Sequence, residues 1–92
     1  MIEGIHHKGL KLFWTGGDTS KLPSDQIRKI KFILEALNRA EKISDMNFPG
    51  LDLHPQKGNL REHWAVTVKN NCRITFYFKE GNARLIDYID YH

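Results

Sequence analysis

The spacing of apolar residues changes along this chain, from a three-and-four repeat in the first half to strict alternation in the second. Leu10, Phe13 and Trp14 fall at i, i+3 and i+4, and Gly16-Gly17 follows, so the pattern predicts a short helix closed by glycine. Pro23 and Ser24 are start signals for a longer helix, in which Ile27, Ile30, Ile33, Leu34 and Leu37 form a broad apolar face. Arg28, Lys29, Lys31, Glu35 and Arg39 lie on its other side, as expected of a solvated face. Ahead of both, Ile2 to Ile5 reads as a short strand. From Ser44 to His63 neither period survives; Pro49-Gly50, Pro55 and Lys57-Gly58-Asn59 mark a loop, with a brief strand expected at Leu51 to His54. A loop of about 20 residues is unusual in a small domain and is often functional.

Alternation then takes over. Trp64, Val66 and Val68 interleave with Ala65, Thr67 and Lys69. After Asn70-Asn71, Ile74, Phe76 and Phe78 interleave with Arg73, Thr75, Tyr77 and Lys79. This predicts a β-hairpin, because Asn tolerates the positive φ that tight hairpin turns require. One face of the ribbon is apolar and suited to a helix; the other carries Thr, Tyr, Arg and Lys. Glu80-Gly81-Asn82 is a second turn, and Ala83 to His92 a last strand. Its facing is ambiguous, since Leu85/Ile89 and Ile86/Tyr88 support opposite registers. The predicted order is β-α-α-β-β-β, an α+β class with helices first and an antiparallel meander after, in one domain spanning residues 1–92.

Composition narrows the function only a little. At 92 residues with 40% hydrophobic content the chain can bury one modest core, which excludes a disordered tail protein. No apolar run approaches the ~18 residues of a membrane span. The N-terminus lacks a signal peptide's apolar centre, and the single cysteine, Cys72, cannot form an internal disulfide; a cytoplasmic protein is expected. The net charge of +3 permits a polyanionic partner without demanding one. Distribution says more, because Lys57, Arg61, Lys69 and Arg73 cluster in the middle of the chain.

Gly-rich phosphate loops, zinc spacings and Ser-nucleophile motifs are absent, and the adjacent His6-His7 would point to opposite sides of a strand. What remains is a set of bases and cations: His54 and Lys57 in the loop, Lys69 and Arg73 beside the hairpin turn, and Tyr91-His92 at the end. Lys69 and Arg73 have the polar parity of their strands and are expected to share a face, with Tyr77 further along it. The combination suits a phosphodiester, with cations stabilising a pentavalent phosphorane while imidazole or phenol moves protons.

Leu53-His54-Pro55-Gln56-Lys57-Gly58, Trp64-Ala65-Val66-Thr67-Val68, Cys72-Arg73-Ile74-Thr75-Phe76 and the closing Asp87-Tyr88-Ile89-Asp90-Tyr91-His92 resemble the HigB toxins, a branch of the RelE-like mRNA interferases. Lys8-Gly9-Leu10-Lys11-Leu12 and the helix from Ile27 to Leu37 match as well, so the resemblance covers nearly the whole chain. It implies an antiparallel sheet flanked by N-terminal helices. It also implies cleavage of mRNA in the A site of the 70S ribosome, without metal or other cofactor, by attack of a ribose 2′-OH on its own 3′ phosphate. Carried over by position, His54, Lys57, Arg73, Tyr91 and His92 are the expected catalytic set. Lys69, with Arg61 and Tyr77, is expected to contact RNA. His92 is expected to transfer the proton, Lys57 and Arg73 to stabilise charge, and Tyr91 to orient or stack on a base. The partner implied is a HigA-type helix-turn-helix antitoxin. An alternative class also exists: relatives of this fold that lack the nuclease residues and act by binding another target such as gyrase.

Overall fold

A computed structural model describes residues 1–56, 58 and 61–91. Helix α1 (Lys8–Gly16) forms where the first apolar stripe was read. It starts at His7, whose Nδ1 accepts a hydrogen bond from the Leu10 N–H at 3.2 Å. It stops at Gly17, whose φ of 74° lets its N–H turn back to the Phe13 carbonyl at 2.9 Å. The Pro23-Ser24 signal opens a 3₁₀ turn (Ser24–Gln26) that runs into α2 (Ile27–Arg39). The face read from the sequence is the buried one: Ile30, Ile33, Leu34 and Leu37 have no exposed surface.

The sheet is a four-stranded antiparallel meander, β1 (His54–Pro55), β2 (His63–Lys69), β3 (Cys72–Lys79) and β4 (Asn82–Asp90), in the order β1-β2-β3-β4. Its helix-facing side carries Val66, Ile74, Phe76, Phe78, Ala83 and Ile86, which merge with the α2 residues and Leu10 into one core cluster. Full burial of a side chain such as Phe76 or Ile33 contributes roughly 1.5–3 kcal/mol, and this layer of sheet against helix accounts for the fold. Among the described residues no helix is long and apolar enough to cross a membrane.

Three expectations are revised. The N-terminal stretch is not a full strand: Ile2 and Ile5 make isolated parallel bridges to Ala83 and Ile86, covering the outer edge of β4. The brief strand in the loop lies at His54–Pro55 rather than Leu51 to His54, because Leu51 is instead drawn into the core and its carbonyl accepts from the Thr67 N–H at 2.7 Å. The segment after α2 is also less irregular than its composition suggests. It holds a 3₁₀ turn (Ile43–Met46), pinned by fully buried Met46 and by the Asp45 carboxylate, which accepts from the Glu41 and Lys42 N–H groups.

Two β-bulges set the facings, one overturning the expected parity of Lys69 and one settling the ambiguous last strand. On β2, Thr67 pairs with Arg73 but Lys69 pairs with Cys72, so Val68 and Lys69 together oppose one residue. On β4, Asp87 pairs with Thr75 but Arg84 pairs with Tyr77, so Leu85 and Ile86 occupy the place of one residue. The extra residue resolves the conflict between Leu85 and Ile86: Ile86 goes into the core, and Leu85, at φ 54°, turns out to solvent.

Candidate active site

The sheet side away from the helices is laid out in rows by the strand register. Thr67, Arg73 and Ile89 form one row; His54, Ala65, Thr75 and Asp87 the next; His63, Tyr77 and Arg84 the third. Paired residues in antiparallel strands point to the same face, so Arg73 and His54 share a surface, two strands and one row apart. At ~4.8 Å per strand and ~6.6 Å per row their backbones are separated by roughly 12 Å. At that separation the two side chains approach a common region from opposite sides of it. Ala65 stands between them and is fully buried, so neighbouring side chains close over it.

Arg73 is held from two sides. Its Nη1 donates to Thr67 Oγ1 at 2.9 Å, and its guanidinium lies 5.9 Å from the centre of the Tyr91 ring. Tyr91 is placed by its own backbone, whose N–H donates to the Asn71 carbonyl in the hairpin turn at 2.9 Å. Half of Tyr91 remains exposed, leaving ring surface available to a ligand. His54 is fixed by Asp52, whose backbone carbonyl lies 2.7 Å from Nδ1. A carbonyl only accepts, so Nδ1 carries the hydrogen and Nε2 is left with its lone pair, the form that can take a proton.

Lys69 departs from expectation. The β2 bulge moves it off the Arg73 face to the side of Cys72, where its ammonium is ion-paired with Asp25 of the 3₁₀ turn. That hydrogen bond raises the Lys69 pKa and lowers that of Asp25. Tyr77 does lie on the polar face, but Arg84 stacks on its ring at 4.7 Å, the His63 ring meets it edge-on at 5.3 Å, and its hydroxyl donates to Glu62 at 3.1 Å. Arg61 is exposed in the turn before β2. Lys57 and His92 lie outside the described residues.

A family model described as RelE-like toxin of type II toxin-antitoxin system HigB matches residues 3–92. The chain belongs to the HigB family of RelE-like toxins. An Endoribonuclease HigB from Proteus vulgaris is 41% identical over 92 residues, the whole of both chains. Two helices packed on a four-stranded antiparallel sheet agree with the α+β fold of RelE-like proteins. Membership of a type II system gives this HigB-family toxin an antitoxin as its partner.

The sequence missed the residues that hold the site. Thr67 could have been found, since it stands opposite Arg73 across the hairpin. Asp52, two residues before His54, could have been suspected from spacing alone. Nothing in the sequence pointed to Asp25 or to Gln26, the one buried polar residue among those described. Gln26 Oε1 accepts from the Tyr88 hydroxyl at 2.5 Å and its Nε2 donates to Cys72 Sγ at 3.5 Å, tying the 3₁₀ turn to the strand ends beneath the site. Burial holds the Tyr88 phenol well above its usual pKa, so it stays a neutral donor.

Proposed function

We propose that this protein is an endoribonuclease that cleaves mRNA in the decoding site of the 70S ribosome and is silenced by a HigA-type helix-turn-helix antitoxin. The observation that carries the reading is the common face of Arg73, Tyr91 and His54: an anchored guanidinium beside a half-exposed ring, opposite an imidazole with a free Nε2. The full-length likeness to a relative named as an endoribonuclease supports it. The 2′-oxygen attacks phosphorus while its proton passes to an imidazole, and the 5′-oxygen leaves with a proton from a second donor. The product ends in a 2′,3′-cyclic phosphate, and no other reactant is consumed. His92 transfers protons, Lys57 and Arg73 neutralise the charge that builds on the phosphorane, and Tyr91 orients the nucleotide. His54 is the second imidazole for this exchange.

The same geometry supports a dependence on the ribosome. In-line attack needs the nucleotide splayed, with its 2′-oxygen opposite the leaving oxygen, and such alignment is worth several kcal/mol. Tyr91 is the only described aromatic side chain at the Arg73 row with a largely open ring. This favours an external scaffold that pins the message. Purified protein incubated with one mRNA is expected to cut it with programmed ribosomes and poorly without them. Equal rates in both would overturn the mechanism and leave a free-standing ribonuclease.

A further inference from the structure

Arg84 lies outside the row of Arg73, and a β-bulge sets it opposite Tyr77. In a regular β4, alternation from Asp87 would place Leu85 opposite Tyr77. The bulge inserts one residue, so Arg84 takes that position and Leu85 is displaced to solvent in a left-handed conformation that a non-glycine residue adopts only under strain. Leu85 is left more than half exposed. Arg84 is itself exposed, with its guanidinium spread on the Tyr77 ring at 4.7 Å. Tyr77 is in turn braced by the His63 ring and by its hydroxyl bond to Glu62. Tyr77 thus has Arg84 on its ring and the His63 ring packed against it, and acts as a support. The group that this row offers to a ligand is the outer face and N–H edge of Arg84.

We infer that Arg84 binds a phosphodiester of the message away from the one being cut, in a deepening of the proposed function that rests on that reading. Arg73 and Tyr77 are four residues apart on one strand, so the two rows are ~13 Å apart. That span corresponds to about four stacked nucleotides at ~3.4 Å each, and to fewer in a stretched strand. The charges facing the row are consistent with an anion. Arg84 and Lys79 are cationic, and the nearby Glu62 carboxylate is engaged by the Tyr77 hydroxyl and lies 4.0 Å from Lys79. Between the two cationic rows stand Thr75 and Asp87, which suit ribose hydroxyls or base amino groups better than a phosphate. The message would lie along the strands, with phosphates at the ends of the path and a sugar or base over its middle.

The test is cleavage on programmed ribosomes of messages carrying a single uncharged methylphosphonate linkage, moved stepwise up to five nucleotides to either side of the cut. One linkage two to four nucleotides away is expected to weaken half-maximal cleavage by roughly 10- to 100-fold, the scale of one charge-assisted hydrogen bond. Arg84→Ala is expected to impose a similar loss on the unmodified message and to be indifferent to that linkage. A scan in which no such linkage matters to the wild-type protein overturns the proposal even if Arg84→Ala fails to fold. So does an Arg84→Ala variant that remains sensitive at the same linkage. Equal weakening of Arg84→Ala binding to ribosomes with and without message would assign the guanidinium to ribosomal RNA, and would also overturn it. Failure of the proposed function itself would look different, since the unmodified message would then be left uncut or be cut equally well without ribosomes.

Discussion

Replacing Arg73 by alanine separates chemistry from folding. The guanidinium sits on the polar face with one hydrogen bond, to Thr67 Oγ1 at 2.9 Å, and one aromatic contact, Tyr91 at 5.9 Å. Neither reaches the core, which lies on the opposite side of β3 in Ile74, Phe76 and Phe78. A part-buried hydrogen bond and a cation–π contact at this distance together contribute about 1–2 kcal/mol to stability. For a domain of this size that lowers the melting temperature by roughly 4–16 °C, leaving the variant folded at working temperature. Removing one group that stabilises a developing oxyanion costs far more in rate, roughly 10²–10³-fold. The assay is single-turnover cleavage on programmed ribosomes with protein in excess, beside a thermal melt of the same preparation. Arg73→Ala is expected to melt cooperatively while its cleavage rate falls by that factor. Loss of less than about threefold would remove Arg73 from the phosphate. A variant that does not fold would make Arg73 structural and refute the layout of the face.

Ending the chain at Asp90 removes Tyr91 and His92, and expression in a bacterial host without antitoxin is then expected to be nearly harmless, since a general acid–base group contributes ~10²–10⁴-fold. Full growth arrest by an equally abundant, soluble truncated chain would refute the assignment. Lys69→Ala is expected to slow cleavage by less than about tenfold, well short of Arg73→Ala, because its charge is already paired with Asp25 away from the Arg73 face; an equal loss would return Lys69 to the site. Acid should destabilise the fold through Asp18, Asp25 and Asp45, whose pKa values are lowered from 3.8 by hydrogen bonds from Ser20, Lys69 and the Glu41 backbone, respectively. A carboxyl depressed in the folded state contributes stability above its unfolded pKa and loses it as pH falls through the folded value. Melting temperature should therefore drop as the pH falls below about 4, with a shallower drop in Asp45→Asn. An unchanged slope in that variant would show that the Asp45 cap is not part of the effect.

Local pattern was enough for the elements themselves. The three-and-four stripe ending in Gly16-Gly17, the Pro23-Ser24 start and the alternation around Asn70-Asn71 each depend on residues within a few positions of one another, so α1, α2 and the β2–β3 hairpin were legible. The shared face of Arg73 and Tyr77 follows from parity alone. Parity fails at a bulge, because one inserted residue reverses every later side chain, and nothing local in Val68-Lys69 or Leu85-Ile86 announces one. The tertiary structure decides both: without the β4 slip Arg84 instead of the fully buried Ala83 would stand opposite Phe78 on the core side, and without the β2 slip Lys69 would not pair with Cys72. Those slips send Lys69 to Asp25 and bring Arg84 onto Tyr77. Contacts such as Gln26 with Tyr88 join residues 62 positions apart, and only the packing of the 3₁₀ turn under the strand ends could bring them together. The chemistry-bearing residues were written in the sequence, and the long-range packing chose which of them meet on one face.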